Sequence, residues 1–438
     1  MSFRSFLITL LLLPIPASSQ VPFAAGGGDR MATPPPINGE ALPTRVESEV
    51  RSNYLRGGLS FTTAYGNDVE GLIGATAVND FSYSFFPSIE LDKITPRFHI
   101  TTNYSPSLTI YQRTSAANQS GQGLMTTLQY RLSPHAAITL QDNLQKTGNI
   151  FNQQDTLVAP PVSDTPMPPL TGAVDLIADL LANQANVELT HQFRRNDMVG
   201  VGGSYTTLDY LQSTEALGLY NSNAAGGQGF FNHRFARRHY IGVTYQYSKT
   251  LAYPPQSVIN LQTNSYLLFY TVYLKPTVSA SISVGPQFYS IRQFGLPTYS
   301  SSSPVLLANT GWQGLHTNFV ASYARAVTSG SGLAGVYQSN SAYLSGRWKL
   351  ARTWSLQAVA SYTINKNISP SYFPSSEGGH RTLGAIWAQH QLSEHLAVEF
   401  RYTNLQQRYN DIPALRNASN VSRGSVSLSY NFSRPLGG

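Results

Sequence analysis

Two shortages mark this 438-residue chain: it has no cysteine, and only 12 % of its residues are charged, about half of the ~25 % usual in soluble domains. Without a thiol there is no disulfide scaffold, thiolate metal site, cysteine nucleophile or lipid-modified N-terminal cysteine. Membrane-length apolar runs are missing too. The run Phe6–Leu13 (FLITLLLL) stops well short of the ~20 residues a spanning helix needs, and Pro14 and Pro16 break it. Clustered basic charge is also scarce. The formal charge is +7, yet Lys and Arg never stand more than two in a row, as at Arg194-Arg195 and Arg237-Arg238. No nucleic-acid partner is expected from such scattered cations. The nine scattered histidines form no metal-binding tract, and no metal or other cofactor is implied.

In place of charge the chain carries uncharged polar residues and aromatics. With 26 Tyr and 20 Phe it is too aromatic for a disordered chain. At roughly 150 residues per domain its length suggests two or three domains, a prior that single β-barrels often break. The first residues read as an export signal: Arg4, then the FLITLLLL core, then Ala17-Ser18-Ser19 before a cut, giving a signal peptide over 1–19. Residues 20–52, rich in Pro and Gly and without periodicity, read as a flexible linker.

From residue 53 to 434 the pattern has period two. Val426, Leu428, Tyr430 and Phe432 alternate with Ser425, Ser427, Ser429 and Asn431. Ile241, Val243, Tyr245 and Tyr247 alternate with Gly242, Thr244, Gln246 and Ser248. Such strands have one apolar and one polar face. A short turn also recurs: YRLSPHAAITL, HQFRRNDMVGV, HRFARRHYIGV, VYLKPTVSASI, GRWKLARTWSL and QHQLSEHLAV each carry an aromatic or His, an apolar residue soon after, a tight polar turn and a new alternating strand. The other connections are long and rich in Ser, Gly, Asn and Pro. Fourteen strands follow directly from these markers. Splitting 292–337 at Gly314–Thr317 gives eighteen, or sixteen if one hairpin is loop. Eighteen leave about 21 residues per strand and connection, enough for strands of ~9–11 residues in the bilayer plus loops.

A secreted soluble sheet also alternates, but its polar face normally carries more charge. Here that face is mostly neutral, and aromatics gather near strand ends: Tyr130, Trp348, Trp354, Tyr430 and Phe432. The reading favoured is an all-β, transmembrane, antiparallel up-and-down barrel with short periplasmic turns and long extracellular loops. The export signal, the hairpin repeat and the aromatic-alternating last strand resemble those of bacterial outer-membrane porin-like β-barrels, over nearly the whole mature chain. In one respect the chain departs from that pattern: SRPLGG follows Phe432 where such porins commonly end on an aromatic.

The resemblance implies a bacterial outer-membrane location, surrounding lipid, a barrel-assembly machinery, small polar solutes as cargo and a homotrimer. It also implies that the third long loop, 148–184, folds inward as a constriction. There TGAVDLIADLLANQ has helical spacing that puts Asp175 and Asp179 on one face; the resemblance makes them pore acids, and the alternative is a surface helix whose Asp pair is simply solvated. Taking the face opposite the apolar one as lumenal, the pore-lining candidates are Arg131, Glu188, Arg194, Arg234, Arg347, Lys349, Glu399 and Arg401. Six are basic and two acidic, which suggests passive diffusion with a mild anion preference. The alternatives are a plugged or structural barrel and, further off, an outer-membrane hydrolase. His135, His191, His233, His239 and His390 lie beside the short turns, away from the loop end where such catalytic sites sit, so no catalytic residue is assigned.

Overall fold

A strand that separates two environments must change character at every residue. In the computed structural model this alternation builds eighteen antiparallel strands. The structure describes residues 53–67, 78–147, 179–211, 219–255, 257–275, 277–329, 333, 335–371, 378–409 and 419–436. The first nine strands are β1 (Tyr54–Gly66), β2 (Asp80–Ile94), β3 (Phe98–Tyr111), β4 (Gln119–Ser133), β5 (Ala136–Thr147), β6 (Leu180–Arg194), β7 (Asp197–Tyr210), β8 (Ser222–Ala236) and β9 (His239–Ala252). The second nine are β10 (Ile259–Lys275), β11 (Val278–Gln293), β12 (Tyr299–Gln313), β13 (Thr317–Thr328), β14 (Tyr337–Lys349), β15 (Trp354–Asn367), β16 (Gly379–Gln391), β17 (Leu396–Tyr409) and β18 (Ser419–Pro435). Each pairs with its sequence neighbours, and β18 returns to β1 with Leu428 opposite Phe61. The ladder therefore closes without a free edge, the condition for placing strands in lipid.

The register assigns every side chain to a face. On β1, Leu59, Phe61 and Tyr65 point outward, whereas Thr62 and Ala64 point inward. Phe61 is 49 % exposed and Leu428 47 %, while Thr62 is 8 % exposed. The pattern repeats around the barrel, with the large apolar side chains forming a contiguous outer belt far larger than a water-facing surface tolerates. Tyr130, Trp348, Trp354, Tyr430 and Phe432 all lie on this outer face near the short turns, as the sequence led us to expect.

The recurring turn motif has a physical basis. In four hairpins the register shifts just before the turn, between Arg131 and Ser133, Gln192 and Arg194, Arg234 and Ala236, and Tyr273 and Lys275. Each bulge holds one extra residue: Leu132, Phe193, Phe235 or Leu274, all large, apolar and about half exposed. In four of its six copies the repeat seen in the sequence is thus a bulge that turns one greasy side chain outward at the membrane boundary.

The split at 314–316 holds: β12 ends at Gln313, β13 begins at Thr317, and the Gly314 N–H donates to the Thr317 carbonyl at 2.6 Å. The count is eighteen, not sixteen. The helix expected over 171–184 needs correction. Residues 180–184 are the start of β6, paired with β5 and β7, and Leu180 and Ala182 pack on Leu208. The Asp179 carbonyl already accepts from the Leu211 N–H at 2.8 Å. Two neighbouring strands offer LLANQ a full ladder of hydrogen bonds, which outweighs its local helical spacing. Asp175 and the remainder of that segment lie outside the described residues.

Candidate solute pathway

The inner wall has two unlike sectors. From β7 to β12 it is nearly free of charge, and apolar clusters stand among Ser, Thr, Gln and Gly. Met198, Phe230, Tyr240 and Tyr273 form one cluster towards the short turns, with Tyr240 and Tyr273 edge to face at 5.7 Å. Leu267, Val305 and Leu307 form a second cluster, backed by Ala324 and Ala326. Small residues make room for the large ones: Ser279, Ser281 and Ser283 of β11 alternate inward beside Tyr273, Thr271 and Phe269. The segment SYLLFYTVYLK, where alternation is hard to read, resolves with Leu267, Phe269 and Tyr273 inside and Tyr266, Leu268 and Tyr270 outside.

From β14 through β18 to β2 the wall is polar and charged. Arg401 reaches Glu399 at 2.8 Å and stacks its guanidinium 4.7 Å from the Trp387 ring centre. Arg423 donates to the Ser82 hydroxyl at 3.0 Å. Arg347 and Arg381 face inward from β14 and β16. Near the short-turn end of β1–β3, Tyr54 donates to Glu90 at 2.9 Å, Arg56 lies 3.5 Å from the same carboxylate, and His99 Nε2 lies 3.3 Å from Asp92. Opposite this sector, Gln228 donates to Glu188 at 3.1 Å.

Of the residues singled out in the sequence, Glu188, Arg347, Glu399 and Arg401 lie on inward positions within the barrel. Arg131 and Lys349 also have inward register but stand exposed at the short-turn rim. Arg194 lies beyond a bulge, exposed, with its guanidinium 6.0 Å from the Phe193 ring centre. Arg234 is bound to the neighbouring turn through Asn196 Oδ1 at 2.9 Å and the Arg195 carbonyl at 3.0 Å. The β6 bulge breaks strict alternation and carries Arg194 past the last inward position, whereas Arg234 keeps inward register opposite Tyr240, just before its own bulge. The residues that sequence reasoning missed are Arg56, Glu90, Asp92, His99, Arg381, Trp387 and Arg423. Each sits on the inward parity of its strand, and extending the alternation past the clearest segments would have found them.

At the long-loop end a second feature narrows the path. β13 stops pairing with β12 at Arg325–Leu306, while β12 stays paired to β11 up to Tyr299. The freed end of β13 turns onto the inner face. The Val327 N–H donates to Gln287 Oε1 at 2.7 Å, and Gln338 Nε2 donates to the Ser303 hydroxyl at 2.7 Å. Val327 and Val336 then pack against the inward Ile259, Leu261, Tyr289 and Ile291. Beyond them Leu333 forms an antiparallel bridge with Leu219, from the β7–β8 connection, and both leucines are buried. Connections that leave the barrel six strands apart therefore meet in a chord across the mouth. This chord comes from the β7–β8 and β13–β14 connections, while residues 148–178 of the third loop lie outside the described residues.

Closure without an edge, an outer apolar belt and a partly charged interior leave one class of architecture. The chain folds as an outer-membrane-type β-barrel. No family model and no curated protein matches it. Among solved structures, the Pseudomonas aeruginosa outer-membrane protein OpdK shares 11 % identity over 87 % of this chain and 99 % of that one, with a TM-score of 0.39. OccAB4 of Acinetobacter baumannii shares 9 % over 88 % and 99 %, with a TM-score of 0.39. The FrpB iron transporter of Neisseria meningitidis shares 9 % over 82 % and 64 %, with a TM-score of 0.41. Scores this low attach no cargo and no mechanism to the chain; its function has to be argued from its own walls.

Proposed function

We propose that this protein is a passive channel for small hydrophilic solutes across the bacterial outer membrane, with a mild preference for anions. A barrel of eighteen strands is wide enough to keep an aqueous lumen after its inward side chains are placed. The observation that carries the reading is the imbalance on the β14–β18 wall. Four guanidinium groups, of Arg347, Arg381, Arg401 and Arg423, face inward there against the single carboxylate of Glu399. A ring of cations at close quarters attracts anions and raises the barrier to cations. The pair Arg56–Glu90 holds itself together and adds little to that balance.

The test is swelling of liposomes that contain the purified chain. Swelling is expected in small sugars, and faster in the sodium salt of a small monocarboxylate than in the chloride of an ammonium ion of matching size. No swelling with inserted protein would favour a sealed structural barrel, and faster cation entry would overturn the anion preference.

A further inference from the structure

The short-turn end carries a feature that solute passage does not use. Three adjacent turns, β6–β7, β8–β9 and β10–β11, present five exposed cations: Arg194, Arg195, Arg237, Arg238 and Lys275. Against them stands one described carboxylate, Asp197, which already lies 2.7 Å from His233 Nδ1. The turns are tied together. Arg234 bonds to Asn196 and the Arg195 carbonyl, and Arg238 donates to the Leu274 carbonyl at 3.0 Å. Directly beside these cations the bulges expose Phe193, Phe235 and Leu274, at 46 %, 55 % and 59 %. Phe235, His239 and Tyr270 extend this apolar rim outward as a stacked group.

A soluble acidic partner would match the charge but leave the outward rings and leucine in water. A bilayer leaflet satisfies both halves: phosphate meets the guanidinium groups while the apolar side chains enter the acyl boundary. We propose that this three-turn sector is a binding site for anionic phospholipid headgroups in the leaflet at the short-turn end. Arg suits this role because its planar fork makes paired hydrogen bonds to phosphate oxygens.

Native mass spectrometry of the detergent-purified full-length chain tests the proposal, with phosphatidylglycerol and phosphatidylcholine of identical acyl chains as probes. The wild type is expected to bind phosphatidylglycerol about tenfold more tightly or better, since each nearby cation contributes on the order of fivefold at low salt. The quadruple variant Arg194→Gln, Arg195→Gln, Arg237→Gln, Arg238→Gln should bring the two lipids close to parity. Lys at the same four positions should retain most of the preference, and so should Lys349→Gln with Arg352→Gln on a distant turn. Raising salt should erode the wild-type preference without any substitution, which keeps the test valid if a variant fails to fold. Equal binding of the two lipids by the wild type, or an unchanged preference in the glutamine variant, overturns the proposal. So does tighter capture of a soluble acidic peptide than of phosphatidylglycerol.

Discussion

Arg401 shows how much one inward position carries. Its guanidinium is held between Glu399 and the face of Trp387, so its direction is fixed by an ion pair and a cation–π contact. Glu399→Gln removes the neutralising partner and is expected to increase anion selectivity, read as a larger reversal potential in a salt gradient. Arg401→Glu should move that potential towards cations, and no movement in either variant would remove this group from the ion path. Gly285 belongs to no motif that marks it in the sequence. A Cβ there would collide with the Tyr266 carbonyl oxygen, on the neighbouring strand. Gly285→Ala is therefore expected to destabilise by roughly 1–3 kcal/mol, visible as a lower urea midpoint for unfolding from vesicles. Legibility at this scale followed the pleat. Glu399 and Arg401 were readable because β17 alternates without interruption, and Arg234 because it precedes its bulge, whereas Arg194 was not, because the bulge at Phe193 adds a residue that counting by twos cannot see.

Among the elements, the strands were legible and the connections were not. Alternation is a local property of sequence, and both the Gly314–Thr317 split and the bulge-turn repeat could be read from a dozen residues at a time. The inward turn of β13–β14 depends on Gln287 and Ser303, which lie far from it in sequence and near it only after closure. The segment LLANQ failed for the same reason, its partners on β5 and β7 overriding its own spacing. The Leu219–Leu333 bridge yields a direct prediction. Antiparallel bridge partners have Cα atoms about 4.5–5.5 Å apart, within the range a disulfide accepts. The chain has no cysteine of its own, so Leu219→Cys with Leu333→Cys reports this contact alone. Oxidation should give a cross-linked species that migrates differently on a non-reducing gel. It should also lower and quieten the single-channel current, with reductant restoring it. Failure to cross-link would mean that the chord across the mouth does not form.

The whole molecule is a cylinder whose outside is apolar and whose inside divides into a nearly uncharged sector with apolar clusters and a charged sector. The low overall charge follows directly: half of every strand faces lipid, and most of the inner wall uses Ser, Thr, Asn and Gln rather than ions. Placing a charge on the belt should be costly. Leu428 lies outward between Val426 and Tyr430, and Leu428→Arg is expected to cost about 2–4 kcal/mol if the position lies near the bilayer midplane. Unfolding from lipid vesicles measures that cost, and a neutral effect would place this face away from hydrocarbon. The most direct measurement of the central claim is current through one molecule. The purified chain, inserted in a planar bilayer, should give discrete steps of uniform conductance, with a reversal potential on the anion side in a salt gradient. A bilayer that stays silent although protease protection and heat-modifiable gel migration confirm inserted, folded protein would contradict the account.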